Sequence, residues 1–413
     1  MKFTEKEYKR RLDELFARSP SVQNSGFVPG AYKPGLDGME RFDKTLGQPW
    51  KRFRTIHVAG TNGKGSVCSM LAASLSGKGL RVGLYTSPHL LDFRERIKIV
   101  GEGMISREDV WEFLEKYDCE GLSFFEITTG MAFWWFASKG VDIAVIEVGL
   151  GGRLDSTNVI TPELSIITSI GLDHCALLGY TRKAIAGEKA GIFKKGVPAL
   201  VWGHDDETDP VFQEKASREG SRLCFADISD AAGIQSDLKG EYQQANIATV
   251  LKALSILGYG KDDCILEAIG HAAVITGLRG RWERLPDKTE TICDIGHNPA
   301  ALRINFSSLE KTGKPLIIVY GVMADKDLDS IAPLMPQKAH YILVAPDTKR
   351  SLEVNELSSR LAVLRPDLDT ETADSVKEGI EKARNIAGPD SLIYIGGSTF
   401  VVCEALPLYD LDV

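Results

Sequence analysis

The residues best equipped for chemistry stand in one stretch, Ile56 to Val67, which reads IHVAGTNGKGSV. The glycines Gly60, Gly63 and Gly65 let the backbone curl tightly without a Cβ penalty, so successive N–H groups can converge on an anion. Lys64 would reach the outer phosphates of a nucleotide, and Ser66 would stand beside a metal. The spacing departs from the usual nucleoside-triphosphate loop: Val58 stands where its first glycine would be, and Gly65 separates lysine from hydroxyl. A ligand-free turn between strand and helix is the competing reading. Loop, lysine and helix together weigh against it.

Such a cradle needs a strand behind it and a helix in front. Thr55 to Ala59 is apolar and β-branched, hence a short buried strand. Lys64 to Leu75 reads as a helix whose positive end faces the loop. Further strands are expected at Arg81–Tyr85, Asp142–Val148, Leu164–Ile170, Val197–Trp202 and Arg222–Phe225, with a hairpin following Phe93–Ile99. Helices are expected at 4–18, 36–46, 123–138, 181–193, 241–257 and 262–276, and another starts at Ser106. Strands alternating with helices predict a parallel, doubly wound sheet. The alternation restarts with strands near 291–295, 315–320, 340–344 and 391–396, and Gly277 to Arg281 is the expected hinge. The fold class is therefore α/β: a phosphate-loop, mainly parallel sheet domain and a smaller Rossmann-like C-terminal domain.

In an open parallel sheet, ligands sit outside the carboxyl ends of the strands. Four such ends carry useful groups: the glycine loop, Ser87, Glu147 and His174. Phosphate, hydroxyl and carboxylate oxygens suit magnesium. Each residue alone has a plainer explanation, as a turn former, a solvated acid or a structural histidine. Their coincidence beside a phosphate loop favours a site.

The bulk properties narrow the class. At 413 residues two domains are expected, and 43% hydrophobic with 26% charged residues describes a globular chain. A net charge of −8 argues against general nucleic-acid binding, so anionic substrates need locally basic pockets. The charged N-terminus is no signal peptide, and the apolar stretch 131–150 is interrupted by Lys139 and Asp142, so no membrane partner is expected. Seven scattered cysteines fit a reducing compartment without zinc or disulfides. The expectation is a cytoplasmic, monomeric enzyme.

The segment from Gly60 to Ser66 resembles the loop of the Mur ligase superfamily, whose members form amide bonds from a carboxylate, an amine and ATP. More motifs follow in order: Gly35 to Arg41, Ser87 to Leu90, Phe124 to Thr129, Glu147 to Asp155 and Glu188 to Ile192. From about residue 35 to 405 the chain resembles the dihydrofolate synthase and folylpolyglutamate synthase family. That resemblance implies ATP and Mg2+ as cofactors, with the loop residues Gly60, Thr61, Asn62, Gly63, Lys64, Gly65 and Ser66 on the nucleotide. It implies metal ligation by Ser87, Glu147 and His174, joined by Lys189 if carbamylated by CO2. A carbamate is an anionic oxygen ligand, whereas an ammonium repels metal; an ordinary salt bridge is the alternative for Lys189. It puts Asp155 at the pterin-bearing substrate, with Phe125 and Arg96 beside it.

In the second domain the resemblance implies that Arg281, Asp294, His297 and Ser398 serve the nucleotide. Asp294 to Pro299 reads DIGHNP, with two middle residues altered from the family pattern but the Asp–His spacing kept. Helix capping is the plainer role for Asn298 and Ser398. Residues 1–280 are then the ATP-binding central domain with the folate site, and 281–413 the glutamate-ligase domain. Catalytic roles fall to Lys64, Glu147, His174, Lys189 and Arg281. The implied reaction joins L-glutamate to dihydropteroate, to folyl-polyglutamates, or to both, through an acyl phosphate. Small-molecule substrates are the only partners expected. A cell-wall amino-acid ligase, a phosphate-loop switch protein and a kinase are the competing readings.

Overall fold

A computed structural model describes residues 2–26, 33 and 35–410. The polar, glycine-bearing stretch after the first helix lies partly outside the described residues. The chain divides into two compact units, one formed by 1–237 with 243–278, the other by 238–242 with 279–413.

Eight strands make the sheet of the first unit: β1 (Arg54–Ala59), β2 (Val82–Tyr85), β3 (Ile97–Ile99), β4 (Gly103–Met104), β5 (Ile143–Glu147), β6 (Leu164–Ile167), β7 (Ala199–Trp202) and β8 (Leu223–Ala226). Their order is β4-β3-β2-β5-β1-β6-β7-β8. The strands from β2 to β8 along that order run parallel, and β3 and β4 pair antiparallel at one edge. From Thr55 onward β1 is buried, which is why its apolar run needs no alternation. The helix Phe124–Lys139 is buried almost all round. Ser123 and Glu126 close a reciprocal capping box at its start, so its orphan N–H groups are satisfied without water. Gly130 in its middle admits the rings and methyls of Phe42 and Leu46, where a Cβ would collide with Phe42.

The second unit holds β9 (Glu283–Leu285), β10 (Glu290–Asp294), β11 (Leu316–Tyr320), β12 (Ala339–Leu343), β13 (Asp369–Thr372) and β14 (Leu392–Gly396), ordered β13-β12-β11-β14-β10-β9. All pairs are parallel except β9 with β10. Its core gathers Ile292, Phe306, Tyr320, Tyr341 and Tyr394. Both sheets thus carry the expected α/β winding.

Local differences have identifiable causes. The expected helix over 262–276 is broken at His271, because the Asp237 carboxylate accepts from Ala273 N and Val274 N and starts a second helix there. The strand expected over Leu164–Ile170 ends at Ile167, beyond which Thr168 and Ser169 turn their hydroxyls onto the Asn62 carbonyl. Strands β9 and β13 escape sequence reading: one is three residues long, the other is the polar run DTET at a sheet edge. Among the described residues no helix is long and apolar enough to cross a membrane.

Candidate active site

Four neighbouring strands of the first sheet, β2, β5, β1 and β6, end in the four groups marked out above. Ser87 follows β2, Glu147 closes β5, the loop follows β1, and His174 lies beyond β6. Adjacent strands stand about 4.8 Å apart, so the fold itself lines these termini along one edge. Glu147 is 2% exposed, and its Oε2 accepts the backbone N–H of Ser87 at 3.0 Å. His174 takes a left-handed backbone, φ 51°, and begins the short helix Cys175–Leu178. Its N–H donates to Asp173 Oδ1 at 2.9 Å.

The loop is built to curve. Thr61 N donates to Ser169 O and Asn62 N to Ser169 Oγ, while the Thr61 hydroxyl bonds both the carbonyl and the N–H of Gly171. Gly63 sits at φ +87°, and a Cβ there would strike the side-chain oxygen of Asn246. Lys64 opens the helix Lys64–Gly77 and folds its ammonium back onto the carbonyls of Gly60, at 3.0 Å, and Thr61, at 3.2 Å. Lys189, in the helix Arg182–Ala190, donates to the same Gly60 carbonyl at 2.8 Å. Among the described residues neither ammonium has a carboxylate partner. Burial first, and then the charge of Lys64, depress the Lys189 pKa from 10.5 to about 7. Two lysine side chains meeting at one carbonyl, with Asp173 and Asp155 only partly offsetting the burial of Lys189, describe a place that would accept negative charge.

Ser66 is buried, and its hydroxyl accepts from Gln243 Nε2 at 3.2 Å; Asn246 Nδ2 in turn donates to Gln243 Oε1 at 2.8 Å. Gln243 and Asn246, on the helix Gln243–Ile256, therefore pack against the phosphate loop. Sequence reading passed over them, because two amides on a helix give no signal without the fold.

Asp155 is 5% exposed. Its Oδ1 accepts Thr157 N and the Thr157 hydroxyl, and its Oδ2 accepts Leu150 N. Burial raises its pKa, and these donors work against that rise. The ring of Phe125 covers Gly149, where a Cβ would collide with it, and lies 5.8 Å from the ring of Tyr85. Arg96 is buried over the Phe124 ring, donating to His89 Nδ1 at 2.8 Å and Gln23 Oε1 at 2.7 Å. Its partners are neutral amide and imidazole groups: burial above all, and then the Arg96 charge, push His89 down to about 3.

In the second unit, Asp294 at the end of β10 and Ser398 after β14 stand on neighbouring strands. Asp294 accepts four hydrogen bonds, from Tyr242 Oη, Trp282 N, Gly296 N and Asn305 Nδ2, each between 2.7 and 2.8 Å. Among the described residues, Arg281 Nη1 reaches the carbonyls of Arg279 and Gly280. His297 Nδ1 lies 3.1 Å from Ile295 O, Asn298 caps the helix Pro299–Lys311, and the Ser398 hydroxyl accepts Val401 N.

Known proteins resemble this chain along most of its length. Residues 58–262 match the Mur ligase middle domain, and residues 280–399 the Mur ligase glutamate ligase domain. Over 431 aligned residues the chain is 32% identical to the dihydrofolate synthase/folylpolyglutamate synthase of Haemophilus influenzae, with 95% of this chain and 98% of that protein covered. The chain belongs to the dihydrofolate synthase/folylpolyglutamate synthase family. The same family includes solved structures of like fold. E. coli FolC in complex with DHPP and ADP superposes with a TM-score of 0.85 at 26% identity, covering 98% of both chains. A bifunctional folylpolyglutamate synthase/dihydrofolate synthase with Mn, AMPPNP and L-glutamate bound gives 0.82 at 27%, again over 98% of both. The chain spans about half, 48%, of a longer Haloferax volcanii relative named a probable bifunctional folylpolyglutamate synthase/dihydropteroate synthase, at 31% identity.

Proposed function

We propose that this chain is an ATP-dependent ligase joining the α-amine of L-glutamate to the carboxylate of dihydropteroate, of folyl-polyglutamates, or of both. The observation that carries the reading is the glycine loop after β1, on whose Gly60 carbonyl the side chains of Lys64 and Lys189 converge. The substrate carboxylate attacks the γ-phosphorus of ATP, the bond to the β-phosphate oxygen breaks, and ADP leaves an acyl phosphate. The glutamate amine then attacks the acyl carbon, and the tetrahedral intermediate collapses with loss of phosphate and a proton. A carboxylate needs no activating base for the first step, so positioning and charge compensation dominate.

Lys64 and the loop N–H groups hold the phosphates and offset charge on the transferring phosphoryl group. Ser87, Glu147 and His174 combine two hard oxygens with an imidazole nitrogen, a donor set that fits a divalent magnesium or manganese ion. Such an ion would supply charge neutralisation at the phosphate oxygens. Lys189, partly neutral near pH 7, is suited to add CO2 and become an anionic carbamate beside that set. Asp155, Phe125 and Arg96 hold the folate. Arg281, His297 and Ser398 serve the nucleotide, while Asp294, its oxygens fully occupied, shapes that site from behind. The first unit is thus the ATP and folate domain and the second the glutamate-ligase domain of a monomeric, cytoplasmic enzyme.

The test offers purified protein ATP and glutamate with each pterin separately, reading products by mass and ADP by coupled assay. Glutamylated product, with ADP release only when both acceptor and glutamate are present, is expected. ATP turnover indifferent to both would mark a switch-type hydrolase, and phosphorylated acceptor without glutamyl product a kinase.

A further inference from the structure

Behind the phosphate loop, His57 lies wholly buried on β1, among strands where an apolar side chain would be the simpler choice. Its Nε2 is 2.8 Å from the Thr157 hydroxyl, and that hydroxyl is 2.5 Å from Asp155 Oδ1. Its other nitrogen, Nδ1, is buried with no hydrogen-bond partner among the described residues. Burial, and secondarily the charge of Lys194, lower the His57 pKa to about 3, so the ring is neutral.

These distances fix the protons. A carboxylate oxygen only accepts, so the single Thr157 proton points to Asp155. The hydroxyl can then only accept from the ring, which places the imidazole hydrogen on Nε2 and leaves Nδ1 bare. A buried polar atom without a partner is a standing cost that a core residue kept only for packing would not incur.

We infer that His57 is a positioning residue for the folate site, acting through Thr157 to hold the Asp155 carboxylate in one orientation. The chain His57–Thr157–Asp155 crosses from the central strand to the turn Ser156–Val159 that follows Asp155. Thr157 N and Leu150 N donate to the same carboxylate, so the chain adds a side-chain restraint to these backbone ones. This inference rests on the reading that Asp155 meets the substrate.

The experiment measures kcat and KM for the pterin substrate, and KM for ATP, in the full chain. Asp155→Asn is made first and tests the underlying reading. Thr157→Val and His57→Leu should each raise the pterin KM about three- to tenfold, with kcat and the ATP KM nearly unchanged. The double variant should match Thr157→Val alone, since both changes cut one chain. His57→Gln, which keeps an N–H donor, and Thr157→Ser, which keeps the hydroxyl, should recover most of the loss; a packing role would not discriminate in this way. Should His57→Leu fail to fold, the Thr157→Val and Thr157→Ser pair carries the comparison. Equal pterin KM in parent and Thr157→Val, with Asp155→Asn impaired, would overturn the relay alone. An unimpaired Asp155→Asn would remove Asp155 from the substrate and the relay with it.

Discussion

Lys64 and Lys189 share one acceptor, the Gly60 carbonyl, yet they should respond to substitution differently. Among the described residues Lys64 bonds carbonyls of its own loop, so Lys64→Ala should leave the melting temperature near the parent's while turnover falls about a hundredfold or more. Calorimetry beside a steady-state assay checks both halves, and near-normal turnover would take Lys64 out of the chemistry. Lys189 is buried, and its pKa of about 7 means the folded state binds fewer protons there than the unfolded state does. Its effect on stability therefore runs upward with pH, rising between about 7 and the ordinary 10.5. Lys189→Met should flatten that part of the profile, and an unchanged slope would show the ammonium to be unperturbed. If Lys189 is carbamylated, Lys189→Ala should regain activity with short carboxylic acids, whereas Lys189→Arg should stay inactive because guanidinium remains cationic. Full activity in the arginine variant would end the carbamate reading.

At the scale of elements, strand ends and helix starts carry the predictions. Gly63 adopts φ +87° against Asn246, so Gly63→Ala combines backbone strain with a collision and should cost about 1–3 kcal/mol along with most activity. A stable, active Gly63→Ala variant would mean the turn tolerates another conformation. On β12, His340 Nδ1 meets Asp369 at 2.7 Å and Nε2 meets Glu371 at 2.9 Å, both on the edge strand β13. Burial pulls its pKa down, but the two carboxylates outweigh it and the net shift is upward from 6.5. The clamp is thus fully present below pH 6.5 and fades as pH rises through the raised value. The parent should lose roughly 2 °C of its melting advantage over His340→Gln between pH 5.5 and 8.5. A constant difference would show that the histidine stays neutral throughout.

The same scale explains what could be read from sequence. Strands buried on both faces announce themselves as apolar runs, so β1, β5 and β11 were legible, and so was the loop that follows β1. The polar edge β13 and the break at His271 depend on partners distant in sequence, which no local pattern contains. Among candidate site residues, Ser87, Glu147 and His174 could be singled out because strand ends can be located. Gln243 and Asn246 were missed because only the tertiary fold turns one face of their helix to the phosphate loop.

At the scale of the whole molecule, the two units have separate sheets and cores, yet the division is not one cut. Leu238–Tyr242 leaves the first unit, joins the second, and the chain returns at Gln243. Tyr242 anchors that excursion through its 2.7 Å bond to Asp294, with burial foremost in driving its own pKa well up. Tyr242→Phe should destabilise the second unit by about 1–2 kcal/mol, seen as a lowered transition in calorimetry of the full chain. An unmoved transition would make the phenol dispensable.

That five-residue excursion also limits how the gene can be rearranged. A single break after Leu278 yields one fragment trailing an orphan aromatic strap and another whose central acid lacks its phenol donor. Shuffling the two halves among homologues at one crossover would therefore mismatch strap and socket, and viable chimaeras need paired exchanges at 238–242 and 279. Modularity here is a matter of three crossings, inherited together.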